Sequence, residues 1–103
     1  PFQSQDGYSS FHLYVIRIHE KYEKLHKDLF EYLRSKQIGV NLHYMPIYRQ
    51  PYYQAYGFDF NEFEQSEKYY KQAISIPNYP DLSEDNLIYV FETIKNFFSS
   101  RNI

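Results

Sequence analysis

The chain has 103 residues, 43% hydrophobic, 21% aromatic and 23% charged, with 11 basic and 13 acidic residues leaving a formal charge of -2. That length holds one domain of ordinary size and excludes a multidomain machine; a domain this small buries only about 60–70% of the surface its unfolded chain exposes, so a deep, enclosed active site is hard to build. Signs alternate along the chain, which excludes a field selecting nucleic-acid phosphates or anionic membranes, and zero Cys excludes a disulfide framework, thiolate metal sites and a Cys nucleophile.

The lack of cysteine suits a reducing compartment, with the cytoplasm as the default location. No apolar run approaches the ~18 residues of a membrane span, and no basic-then-apolar start resembles a signal peptide. The chain begins at Pro1 and its one Met is Met45, which fits either removal of an initiator or excision from a longer protein. Thirteen Tyr and nine Phe without any Trp are the feature that composition leaves unexplained.

In chain order, residues 1–10 carry Ser, Gln, Asp and Gly and read as an inter-domain segment or linker. Residues 11–18 are aromatic and β-branched, with apolar side chains at both parities; this predicts a strand covered on both faces. Tyr22, Leu25, Leu29, Tyr32 and Leu33 recur at helical spacing and predict an amphipathic helix over 21–36, stopping near Gln37 to Gly39, where Gly39 can take backbone angles other residues avoid. Residues 40–45 alternate and predict a second strand, ended by Pro46. Residues 47–60 read as a loop with one helical turn. Asn61 followed by Glu64 resembles a capping box ahead of a helix over 62–72. A short strand over 73–76 is closed by the proline-restricted 77–80, and Ser83 caps a last helix with the stripe Leu87, Val90, Phe91, Ile94, Phe97 and Phe98. The expected fold is α+β: one two-layer domain over 11–103, with helices packed on a small three- to four-stranded sheet.

Few constellations could carry chemistry. His12, His19 and His26 are seven residues apart across a strand-to-helix boundary, and so are not arranged like a metal-binding pair on one helix face. No Gly-rich phosphate loop or nucleophile elbow is present. Glu20/Lys24, Glu23/Lys27 and Glu64/Lys68 have the i,i+4 spacing of solvated helix faces. Residues 41–56 differ, concentrating one His, five Tyr, one Arg and two Pro where no period explains them. Rigid backbone with Tyr faces suits a polyhydroxylated or ring-shaped ligand or a partner chain; an aromatic loop covering the sheet edge explains the same residues.

The run HYMPIYRQPYY, followed by SEKYYKQAISIPNYPDLSEDNLIYVFETI and preceded by HLYVIRI, resembles the C-terminal region of the DegT/DnrJ/StrS family of pyridoxal-phosphate-dependent sugar aminotransferases. The resemblance implies the small C-terminal domain of an aspartate-aminotransferase-type fold. It also implies a parent enzyme that moves an amino group from glutamate to a keto nucleotide-deoxysugar, as in pseudaminic acid synthesis. In that family the cofactor lysine lies in the large domain, so the resemblance implies no catalytic, cofactor-binding or metal-binding residue in this chain and no transamination by it alone.

His43 and Tyr44 match the family's "HY" pair and are the implied substrate-binding residues, forming part of the wall of the sugar site. Pro46 matches the proline that turns the chain away, Pro51, Tyr52 and Tyr53 match the adjacent loop, and Ser75, Pro77, Tyr79 and Pro80 match as structural positions. Tyr48 stands where many relatives have His, and Gln37 where the family usually has Gly. The implied partners are the parent's large N-terminal domain, a second subunit and a nucleotide sugar, with neither nucleic acid nor membrane. The residues alone leave an alternative open: a free-standing α+β binding or oligomerisation module with a Tyr-rich recognition loop.

Overall fold

The computed structural model describes residues 2–103; Pro1, at the head of the expected linker, lies outside the described residues. Residues 2–10 are exposed and form neither helix nor strand. The first strand, β1 (Tyr14–Arg17), begins later than its composition predicts, because Phe11 adopts φ 48 and breaks the extended run. It pairs antiparallel with β2 (Ala73–Ile76), Tyr14 opposite Ile76 and Arg17 opposite Ala73.

On the other edge of β2, Asn41 donates to the Ser75 carbonyl at 3.1 Å and accepts from its N–H at 2.8 Å, forming an isolated bridge. Among the described residues the sheet therefore has two strands, not three to four, and the alternating residues 40–45 contribute one bridge in place of a strand. The physical reason is local: β2 is four residues long, and the chain beyond Asn41 turns away through Pro46 to dock on a helix. The double cover expected for β1 is also corrected, because it is an edge strand with Tyr14 and Arg17 exposed.

The helix expected over 21–36 is divided into a 3-10 turn at Glu20–Leu25 and α1 (His26–Ser35). The same apolar spacing serves both, but the tighter winding shifts side chains out of i,i+4 phase, and neither Glu20/Lys24 nor Glu23/Lys27 closes among the described residues. Glu64 and Lys68, on a regular helix, do meet at 2.9 Å.

α1 stops within the expected stretch, and the residue that takes the left-handed backbone angle is Gln37, not Gly39. Gln37 N–H donates to Arg34 at 3.0 Å and Ile38 N–H to Leu33 at 3.1 Å, the double bond of a Schellman end, with Ile38 and Leu33 packed in one core. Gln37 occupies the left-handed position, φ 62, where a Cβ costs ~1–2 kcal/mol. Gln37→Gly should therefore stabilise the domain by up to about 1 kcal/mol after the added chain entropy of glycine, raising the thermal midpoint by ~4–8 °C. Thermal unfolding followed by circular dichroism checks this, and an unchanged or lower midpoint would contradict it.

The last helix, α4 (Glu84–Ser99), starts where its cap predicts, with Ser83 Oγ accepting from Asn86 N–H at 3.1 Å. Val90 and Phe97 are buried with Leu29 and Leu33 of α1 and with Ile18, Val40 and Ile74 from the sheet region, so α1 and α4 form the second layer. The predicted apolar stripe on α4 splits: Leu87 and Phe91, with neighbouring Ile88, stay exposed.

Candidate functional site

The segment after Asn41 is built from turns. Ile47–Arg49 forms a 3-10 turn and Pro51 opens α2 (Pro51–Gln54), where a proline's fixed φ and missing N–H fit the first helical position. Gly57, at φ 76, turns the chain back. The cap expected at Asn61 lies two residues earlier: Asp59 Oδ1 accepts from Asn61 N–H at 2.9 Å, introducing a 3-10 turn (Phe60–Phe63) and then α3 (Glu64–Gln72).

The segment is held at two places. The first is the Asn41–Ser75 bridge. The second is Glu67 of α3, whose Oε1 accepts from Tyr48 Oη and Arg49 Nε, both at 2.8 Å, while Arg49 Nη2 reaches the other carboxylate oxygen. Tyr48 is buried and stacks on Phe63 with centroids 4.3 Å apart; the Arg49 guanidinium lies 4.6 Å from the Phe60 centroid and 5.5 Å from that of Tyr70. Fork-on-carboxylate geometry makes this a strong charge-assisted contact. Arg49, aided by Tyr48 and opposed by burial, holds the Glu67 carboxyl down at about 2. Burial, reinforced by the Glu67 carboxylate, pushes the Tyr48 phenol up, and the hydrogen bond to Glu67 raises Arg49.

His43 and Tyr44 lie between these two anchors. Their rings meet edge to face at 4.6 Å. Tyr44 is exposed; His43 is half-buried, with Nδ1 shielded from solvent and lacking a hydrogen-bond partner among the described residues. Beyond the second anchor, Tyr52, Tyr53 and Tyr56 cluster with centroids 5.0–6.2 Å apart and their faces largely open.

Two grooves mark the surface. One of about 790 Å³ runs between the 20–25 turn and α3, lined by Lys21, Lys68, Lys71 and Arg49 against Glu20, Glu23, Glu64 and Glu67. The other, about 500 Å³, lies between Ile38–Gly39, Pro77–Tyr79 and α4. Neither is lined by His43 or Tyr44. The histidines at seven-residue spacing do not converge: His19 Nδ1 accepts from Lys21 N–H at 3.2 Å, and His26 Nε2 bonds the Ala73 carbonyl oxygen at 2.9 Å. Among the described residues no group of three or more His, Cys, Asp or Glu could hold a metal ion.

Pyridoxal phosphate needs an amine of lowered basicity and a cradle for its phosphate. Lys68 is instead raised by its hydrogen bond to Glu64, and the three groove lysines face four glutamates. The donor set does not fit the cofactor, and no step through it is assigned to these residues.

Sequence reasoning missed Glu67 and Arg49. The available signal was a carboxylate in register with Phe63 and Tyr70, at i,i+4 and i,i+7, where an apolar residue is expected.

Fold and surface together define a small α+β unit with an exposed cluster of tyrosines. Residues 1–95 match the model of the DegT/DnrJ/EryC1/StrS aminotransferase family, and the chain belongs to that family. It is similar to the spore coat polysaccharide biosynthesis protein SpsC of Bacillus subtilis, 32% identical over 99 residues, covering 93% of this chain and 25% of SpsC. A UDP-4-amino-4,6-dideoxy-N-acetyl-beta-L-altrosamine transaminase of Helicobacter pylori is 30% identical over 95 residues, 92% of this chain and 25% of that protein. Among solved structures, Helicobacter pylori PseC, an aminotransferase involved in the biosynthesis of pseudoaminic acid, superposes with TM-score 0.83 at 29% identity over 89% of this chain and 24% of PseC. The chain thus spans about a quarter of the length of these relatives.

Proposed function

We propose that residues 11–103 are the small C-terminal domain of a pyridoxal-phosphate-dependent aminotransferase that transfers an amino group from glutamate to a keto nucleotide-deoxysugar, with residues 1–10 as the inter-domain segment. The large N-terminal domain of the parent carries the cofactor and its lysine, and this domain supplies a wall of the sugar site and contacts to the second subunit. The isolated chain is inactive. The parent works in the cytoplasm; no helix among the described residues is long and apolar enough to cross a membrane.

The observation that carries this reading is the similarity of nearly the whole chain to one quarter of a sugar aminotransferase. The unpartnered Nδ1 of His43 beside exposed Tyr44 supports a role in substrate binding, since a shielded ring nitrogen without a partner is costly unless a ligand supplies one.

The test uses the full-length protein. It should show pyridoxal absorbance and pass an amino group from glutamate to a UDP-linked keto-deoxysugar. In it, His43→Ala and Tyr44→Ala should raise KM for the nucleotide sugar about tenfold while leaving the absorbance unchanged, the scale of one lost hydrogen bond to a bound ligand. A full-length protein without pyridoxal absorbance would refute the reaction class. Variants with unaltered KM would remove the two residues from the site.

A further inference from the structure

We infer that the outer flank of α4 is a docking face for an amphipathic helix of a different protein, one whose apolar stripe is edged with Lys or Arg. This concerns a surface away from residues 41–58 and stands independently of the amino-transfer reading. Leu87, Phe91, Ile94 and Phe98 recur at steps of four, three and four, the spacing on which a second helix packs. Ile94 and Phe98 turn partly into the core, whereas Leu87, Ile88 and Phe91 remain 51, 51 and 62% exposed. Phe91 stands four residues from Leu87 and three from Ile88, so it adjoins both on the helix surface and joins them into one patch. At ~200 Å² for a large side chain, the three present about 330 Å², a size at which a patch on a monomer is often functional. A contact this small belongs to the weak, transient class.

Charge selects the occupant. Glu84 and Asp85 precede Ile88 by four and three residues and Glu92 follows it by four, so three exposed carboxylates edge the patch. Lys95, the one basic residue of α4, reaches Glu92 at 3.9 Å. Glu84 and Asp85 form no ion pair among the described residues; the helix N-terminus favours their charge without neutralising it. A second copy of this chain would set acid against acid across a two-fold axis, and a helix that lies on a membrane surface carries basic edges, not acidic ones. A partner helix with basic flanks satisfies both the apolar stripe and its rim.

The probe is a synthetic amphipathic helix with Leu at heptad spacing and Lys on both flanks, titrated by fluorescence anisotropy against the 103-residue chain and against the full-length protein. Both should bind it with a micromolar Kd that salt weakens, and the same peptide with Glu in place of Lys should bind about tenfold more weakly or worse. Phe91→Ser should raise the Kd about tenfold, the scale of a lost aromatic anchor, while Tyr52→Ser leaves it unchanged. Should Phe91→Ser lose its native circular dichroism, Ile88→Ser replaces it. The double variant Glu84→Lys/Glu92→Lys should reverse the preference between the two peptides. Asp6→Lys/Glu62→Lys, an equal change of charge elsewhere, should not. Absence of binding, binding indifferent to Phe91→Ser, or a reversal matched by the Asp6/Glu62 variant would overturn the inference. Binding to the 103-residue chain but not to the full-length protein would assign the face to the rest of the parent and overturn it equally.

Discussion

Phe97→Ala should leave the domain only marginally stable at ambient temperature. Phe97 has no solvent exposure; its ring lies 5.3 Å from Tyr32 and 5.2 Å from Phe98, and the Arg101 guanidinium covers it at 3.7 Å while donating to the Phe97 carbonyl oxygen. Removing it opens the contact between α1 and α4, the two helices of one layer. Truncations of this kind cost ~3–5 kcal/mol, against a total stability of ~5–15 kcal/mol for a natural domain. A chain of this length with a two-stranded sheet belongs at the lower end of that range. Urea unfolding followed by circular dichroism should show the transition displaced toward zero denaturant in Phe97→Ala and much less in Phe97→Leu, which keeps most of the volume. A loss below about 1 kcal/mol would show that the core is not centred on this ring.

Glu67→Ala should cost about 2–4 kcal/mol, because it strands the Arg49 guanidinium and the Tyr48 hydroxyl in a half-buried site where both had a partner. Arg49→Ala removes the same ion pair, so the double variant should cost far less than the two single losses combined. The pH dependence follows from the same contact. The carboxyl of Glu67 is held at about 2, below its ordinary 4.5, so the folded state binds its proton more weakly than the unfolded state does. Its contribution is complete above the ordinary value and is lost as pH falls from there toward about 2. With solvent screening this amounts to roughly 1–2 kcal/mol. Unfolding free energies measured down this acid range should fall in the wild type and fall less steeply in Glu67→Gln. Glu64, lowered by Lys68, contributes in both proteins and so does not blur the difference. Identical acid slopes would assign the loss to other carboxylates.

Parts of the fold that depend on near neighbours were legible in the sequence. Ser83 capped the last helix because its partner is three residues away, and Pro51 opened a turn because ring geometry needs no tertiary help. The strand over 40–45 failed because alternation shows which faces could be buried but not whether a partner strand is long enough to receive them. The helix over 21–36 failed at its first turns because 3-10 and α windings share an apolar spacing over so short a stretch. The stop of α1 was legible at Gln37 to Gly39, but the left-handed angle falls on Gln37, because the hydrogen bonds that close the helix fix that position whichever residue occupies it. Of the candidate site, the Tyr-rich segment and the His43–Tyr44 pair were visible as residues without a period. Their fastening was not, since Glu67 lies 18 and 19 residues from its two partners and no local rule links them.

The order Asn41, β2, β1 leaves β1 with one side unpaired, while Ser75 in β2 both donates to and accepts from Asn41. Amide hydrogen exchange should be uneven across this small sheet. The Ser75 N–H, bonded to Asn41, opens only when the bridge releases and should report on the seating of the Tyr-rich segment; an amide on the unpaired side of β1 needs no such release. That unpaired rim is also a template for another extended chain, and the charge of Arg17 at the end of β1 is of the kind that discourages unwanted strand addition.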